Sequence, residues 1–200
     1  MKKSLPIGLS EEMTYYTDTL SRDGKGAHVK SGIGMTWSGF RPSDDACTYG
    51  YLVPSNMFAV VVLGYLEEIA RQIVKSSDLE KTAAELRKEI YDGIENFAIT
   101  CKEGYGAVYA YEVDGYGQFN LMDDANVPSL LSMDYLGYEG KNPQVAENTR
   151  SLILSEANPF YYKGVKAEGI GSPHTPVEYI WHIALCMQGL THPQGRKKRK

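Results

Sequence analysis

The residues 36–46, TWSGFRPSDDA, bring two aromatic rings, one guanidinium and two adjacent carboxyls into a single short segment. Each part has a chemistry. Aromatic faces such as those of Trp37 and Phe40 stack on sugar rings. The planar fork of Arg41 holds a carboxylate or a pair of hydroxyls. A carboxyl whose pKa is raised by burial or by a neighbouring charge can act as a general acid. Asp44 and Asp45 are adjacent, so their side chains point in different directions and take different tasks. The competing reading is a plain Ser-Asp helix cap with Arg41 as its solvent-side partner, because Ser and Asp are favoured caps.

Two further segments hold conspicuous polar groups. In MDDANVP (122–128), Asp123 or Asp124 can cap a following helix, which leaves the other carboxylate and Asn126 free to bind hydroxyls. In GIGSPHTP (169–176), His174 sits in a Gly/Pro-rich stretch ahead of a helix. No second histidine lies at ligand spacing, since His182 is eight positions on, so no metal site is assigned. The chain has no GxSxG elbow, no phosphate-binding loop and no GxGxxG motif, and no cofactor is expected.

The elements that would carry these segments are mostly helices. Ser10 can cap a short helix over 11–20. Residues 27–43 are glycine-rich and without period, hence irregular. Pro54 suits the first turn of a buried helix. Ser77 and Glu80 form a capping box ahead of a helix over 78–100, whose apolar residues Leu79, Ala83, Leu86, Ile90, Ile94 and Phe97 recur every 3.6 positions. The alternating run AVYAYEV with Asp114-Gly115 behind it predicts a β-hairpin near 105–119. Further helices are expected over 124–136, over 143–154 with Asn142 as cap, and over 176–190. The stretch 159–175 reads as loop.

The bulk properties narrow the class. The chain has 200 residues and a net charge of −4, which gives no footprint for a nucleic-acid partner. The longest apolar run, 57–64, is far too short to span a bilayer, and no signal-peptide pattern opens the chain. A soluble, cytoplasmic protein is expected. Cys47, Cys101 and Cys186 show no metal spacing and read as free, buried thiols. Fifteen tyrosines against five phenylalanines suit a polar, ring-shaped ligand, or else half-buried helix edges. The final eight residues, 193–200, form a basic tail read as a disordered end.

The segments TWSGFRPSDDACTYGYLVPSNMFAVVVLGYL, DDANVPSLLSMDYLGY and GIGSPHTP, the last leading into EYIWHIAL and MQGLT, follow one another as in glycoside hydrolase family 125. The chain resembles that family over about residues 30–192. The resemblance implies an all-α fold, part of an (α/α)6 toroid, with residues 1–192 as a partial catalytic domain. It implies metal-independent, inverting exo-α-1,6-mannosidase chemistry on a mannose-containing oligosaccharide. Asp44 is then the general acid and Asp45 binds sugar hydroxyls, the two being exchangeable. Trp37, Arg41, Asp124, Asn126 and His174 are the implied substrate contacts. The implied base is a glutamate beyond the MQGLT segment, in a motif these residues do not include.

A closed toroid of six helical hairpins needs about twice this length, at on the order of 30 residues for each helix with its loop. A partial toroid is expected to expose apolar helix faces and to be inactive alone. The alternative is a catalytically inactive carbohydrate-binding or scaffold helical protein. The residues leave the oligomeric state undetermined.

Overall fold

The computed structural model describes residues 19–192; the expected helix over 11–20 lies almost wholly outside them, and the basic tail 193–200 entirely so. The chain is built on an antiparallel helical hairpin. Helix α1, Val53–Ile69, carries Pro54 in its first turn, where the missing N–H costs nothing. It continues as a π-helical turn, Ala70–Val74, and stops at Lys75 in the left-handed conformation. Helix α2, Ser77–Phe97, then returns alongside it. The cap is Ser76 rather than Ser77: its hydroxyl accepts from the Leu79 amide. Ile90 and Ile94 of α2 are buried against Met57 and Val60 of α1 in the core.

Short strands follow. Strand β1 (Tyr51–Leu52) precedes α1 and pairs with β4 (Glu112–Val113), which pairs in turn with β5 (Phe119–Asn120). The expected hairpin is therefore present around Asp114-Gly115. The AVYAYEV run is nevertheless split between two sheets, because β3 (Gly106–Tyr109) pairs with β2 (Ile99–Lys102). Two residues, Ala110 and Tyr111, make the crossing, and both are fully buried.

The second half departs further from expectation. The helix foreseen over 124–136 shrinks to α3, Met133–Leu136. Asp123 is the cause: its two carboxylate oxygens accept from the Leu130 and Leu131 amides, 2.8 and 2.9 Å away, and this folds 123–131 into a closed loop. Helix α4, Pro143–Ile153, starts at Asn142, whose side chain accepts from the Gln144 amide. The stretch read as loop contains the hairpin β6–β7 (Tyr161–Lys163 and Glu168–Ile170). Helix α5 begins at His182, not near 176. The preceding residues are drawn onto β7 instead, the Trp181 amide donating to the Ile170 carbonyl. Arg150 of α4 ties down the end of α5 through Thr191 Oγ1 (2.6 Å) and the Gln188 carbonyl. Helices thus make up most of the regular structure, as the sequence indicated.

The irregular segment 27–43 is held on the hairpin by specific contacts. Asn56 of α1 is buried and closes four hydrogen bonds, three of them to Thr36 and one to Leu52. Gly93 of α2 lets the chain lie directly on the helix, for a Cβ there would stand 2.4 Å from the Ile33 carbonyl oxygen. Gly93→Ala is a favourable change by helix propensity alone, yet it must push this backbone away. The expected outcome is a loss of about 1–3 kcal/mol, measured by urea unfolding. A neutral or stabilising result would show that 33–35 does not rest on α2.

One face of α1 and its π-turn has no cover within the described residues. Phe58, Val62, Tyr65, Ile69 and Ile73 recur at helical spacing and are all exposed. This is the apolar face expected of a partial toroid. Among the described residues no helix is long and apolar enough to cross a membrane. The thiols are free, but only Cys47 is buried; Cys101 and Cys186 are exposed, which corrects the expectation of three buried ones.

Candidate active site

Residues 40–46 form a tight turn on a single bridge between Phe40 and Ala46. The Arg41 amide donates to the Asp45 carbonyl (2.8 Å) and the Asp44 amide to the Arg41 carbonyl (3.0 Å). Side chains alternate along this turn: Arg41, Ser43 and Asp45 are buried, whereas Asp44 is exposed. The left-handed backbone at Asp44 turns its side chain out while Asp45 turns in, so the two aspartates are separated by geometry as their adjacency suggested.

The three inward side chains each grip a different element. Arg41 donates through Nε to Glu112 Oε1 of β4 at 2.6 Å. Ser43 donates to Asp124 Oδ2 at 2.6 Å, reaching the 123–131 loop. Asp45 Oδ1 lies 3.2 Å from Nδ1 of His174, on the segment after β7. The 123–131 loop and that segment are themselves joined, the Ala125 amide donating to the Gly171 carbonyl. The structure therefore brings Arg41, Asp44, Asp45, Asp124 and His174 into one constellation from three distant parts of the sequence. Asn126 is half-buried beside it, and its amide donates to Asp124 Oδ1.

Trp37 is not in that constellation. It sits at the base of the turn, over the backbone of Gly26, Gly39 and Gly50, where a Cβ on Gly50 would be 2.5 Å from its indole nitrogen. Its ring remains nearly half exposed.

Burial dominates the electrostatics. The Asp45 carboxyl is pushed above the usual carboxylate range by desolvation and by the Asp124 charge, against the pull of His174 and Arg41. Its Oδ2 is closed to solvent and has no hydrogen-bond partner. Asp123 is fully buried and pushed up to about 8, desolvation outweighing its backbone donors. Tyr111 stands beneath the site with its hydroxyl buried and unpartnered. Desolvation, then the charges of Asp124 and Asp123, push it well above the ordinary phenol value. Burial acts to lower Arg41, but the bond and charge of Glu112 override it and leave the guanidinium raised.

Sequence reasoning missed Ser43, Glu112 and Tyr111 as members of this constellation. Glu112 had a signal, a lone acid inside an otherwise apolar, alternating run. Ser43 and Tyr111 had none that separates them from ordinary turn and core residues. Asp45 and Asp124, the hydroxyl-binding groups that the resemblance implies, are 1% and 0% exposed and are bonded to His174 and Ser43. The exposed groups are Asp44, His174 and Trp37. Asp44 also holds the left-handed backbone conformation, with φ +70°. Aspartate tolerates that region better than most residues, but still at a cost. Among the described residues no three His, Cys, Asp or Glu side chains group as a metal site.

Comparison with known proteins gives this arrangement a family. The model of glycoside hydrolase family 125, described as metal-independent alpha-mannosidase, matches residues 7–200. The meiotically up-regulated gene 157 protein of Schizosaccharomyces pombe is 44% identical over 176 residues, 88% of this chain and 34% of that protein. A solved structure of a metal-independent alpha mannosidase from Streptococcus pneumoniae, in a non-productive complex with alpha-1,6-mannobiose, is 50% identical with a TM-score of 0.85. That match covers 92% of this chain and 43% of the streptococcal one. The chain thus spans about a third to under half the length of these relatives. A family match over nearly all its residues, a shared fold and half-identical sequence together place the chain in glycoside hydrolase family 125, the metal-independent α-mannosidases.

Proposed function

We propose that these residues carry the acid half of an inverting exo-α-1,6-mannosidase site, with Asp44 as the general acid. The observation that carries this reading is the outward, left-handed Asp44 carboxylate on a turn whose Arg41, Ser43 and Asp45 side chains are tied inward. A group that protonates a glycosidic oxygen must reach it, and Asp45, though its pKa is raised, has no oxygen open to a ligand. Asp45 instead holds the His174 ring at the edge of the site. His174 and Asn126 are the groups of the constellation open to sugar hydroxyls, while Trp37, outside it, offers a part-exposed ring at the base of the turn.

In such a reaction the acid gives its proton to the leaving oxygen as the bond to the anomeric carbon breaks. A base on the opposite face takes a proton from the attacking water, and the product has inverted configuration. The two carboxyls stand roughly 6.5–9.5 Å apart to admit that water. Four described carboxylates other than Asp44 and Asp45 lie on segments near the site, Asp114, Asp123, Asp124 and Glu178; of these Asp123 and Asp124 are fully buried and bonded within the protein. Asp114 accepts from the Tyr116 and Gln118 amides in the β4–β5 turn. Glu178 alone of the four is exposed. We read the base, on the family resemblance alone, as a glutamate in a motif beyond the MQGLT segment.

The reading is tested by adding α-1,6-mannobiose to the 200-residue chain. Amide shifts are expected at Asp44, Asn126 and His174, with no turnover. Asp44→Asn should keep the affinity, since an amide still hydrogen-bonds the glycosidic oxygen. Asp45→Asn should weaken it by about tenfold through loss of the charged bond that orients His174. Turnover near that of the streptococcal enzyme would overturn the missing base, and Glu178→Gln would then identify whether Glu178 serves. Shifts confined to other surfaces would overturn the site itself.

A further inference from the structure

Asp44 occupies the left-handed conformation, which aspartate tolerates better than most residues but still at a cost. The bridge of Phe40 to Ala46 and the two backbone bonds of the turn close a three-residue hairpin loop, whose last residue, Asp44, is left-handed by the geometry of such a loop. The residue next to Asp44 on the N-terminal side is Ser43, whose hydroxyl makes a 2.6 Å bond to Asp124. Both ends are buried, Ser43 at 4% and Asp124 at 0% exposure. Asp124 is not a loose acceptor. Its neighbour Asp123 is fixed by the Leu130 and Leu131 amides, its own Oδ1 accepts from the Asn126 amide, and the Ala125 amide is bound to Gly171. The bond therefore joins the immediate neighbour of the left-handed Asp44 to a rigid, desolvated anchor.

We infer that Ser43 and Asp124 are positioning residues for Asp44: the buried Ser43–Asp124 bond docks the left-handed turn on the 123–131 loop and so holds the Asp44 carboxylate in its outward direction. Arg41 and Asp45 bind the flanks of the turn to β4 and to His174, whereas Ser43 docks its tip. A carboxylate anchor suits this task, since a hydroxyl bond to a desolvated carboxylate is shorter and stronger than one to a neutral acceptor. The assignment rests on Asp44 being the acid only for its functional meaning; the mechanical claim stands on the geometry alone.

The test uses the 200-residue chain, with Ser43→Ala removing the bond and Ser43→Thr restoring a hydroxyl at the same place. Amide hydrogen exchange at Asp44, whose N–H is bound to Arg41, reports opening of the turn, and exchange at Val108 in the core reports global stability. In Ser43→Ala, exchange at Asp44 is expected to rise about tenfold with Val108 unchanged, from the loss of one charge-assisted bond. The HN–Hα coupling of Asp44 should move away from its left-handed value. Affinity for α-1,6-mannobiose should fall by about tenfold. Ser43→Thr should return all three readouts toward wild type. Unchanged exchange and coupling at Asp44 would overturn the inference, as would an equal rise at Val108 or no recovery in Ser43→Thr. If exchange and coupling respond as expected but the wild type binds no mannobiose, the positioning role stands and the mannosidase reading falls.

Discussion

Glu112→Ala is expected to cost roughly 3–5 kcal/mol of stability, the range for uncovering a buried charge. Glu112 is fully buried and accepts hydrogen bonds from Arg41 Nε, the Thr48 and Tyr49 amides and Asn120 Nδ2. Truncation orphans all four donors at once and leaves the guanidinium of Arg41, itself 8% exposed, with no counter-ion. A domain of ordinary stability, on the order of 5–15 kcal/mol, would lose a large share of its margin. The pair need not be a net stabiliser, because desolvating two ions offsets most of their attraction. Replacing both partners, Arg41→Met with Glu112→Leu, should therefore recover part of the loss. Urea unfolding of the two single variants and the double variant measures this. Additive losses in the double variant would show that the two groups do not act as a pair.

Arg41 also explains what could be read in advance and what could not. The motif around Asp44 and Asp45 was visible because its residue types are concentrated in one segment. What each side chain touches was not visible, since Arg41 and Glu112 are 71 positions apart and meet only through the pairing of β1 with β4. The long periodic helix α2 and the Asn142 cap followed from local physics, although α2 is capped by Ser76 and ends at Phe97, because residues 99–102 leave the expected helix to form β2. The helix expected over 124–136 failed for a tertiary reason: Asp123 spends both oxygens on amides seven and eight residues ahead, a geometry no helix cap has. The start of α5 failed likewise, because β7 competes for the Trp181 amide. Many of the tyrosines serve the core rather than a ligand. Tyr51, Tyr109, Tyr111, Tyr138 and Tyr161 are buried, and composition cannot distinguish a ring that packs from one that stacks on sugar.

The buried acids predict an unusual dependence of stability on pH. Asp123 moves from an ordinary value of 3.8 to about 8 in the folded protein, chiefly by desolvation. The Leu130 and Leu131 amides favour the carboxylate, yet a fully buried charge costs more than two amides return. Below about pH 4 the carboxyl is protonated in both states, and the folded protein carries no penalty. Between about 4 and 8 the unfolded chain releases a proton that the folded chain keeps, so stability falls as pH rises, and the decline levels off above about 8. The limit for a shift of this size is on the order of 5 kcal/mol. Asp45, also raised, adds to the slope with the same sign. Carboxylates whose pKa is lowered, such as Asp92 beside Lys88, act in the opposite sense and mainly at acid pH. Denaturant unfolding from pH 5 to 9 should therefore show a decline that levels off above about 8, and Asp123→Asn, neutral throughout, should flatten it. The slope is the readout rather than the absolute stability, since asparagine offers Leu130 and Leu131 one acceptor oxygen instead of two. Stability that rises from pH 5 to 8, or a slope that Asp123→Asn leaves intact, would mean that Asp123 is ionised in the folded protein and that its backbone donors win over burial.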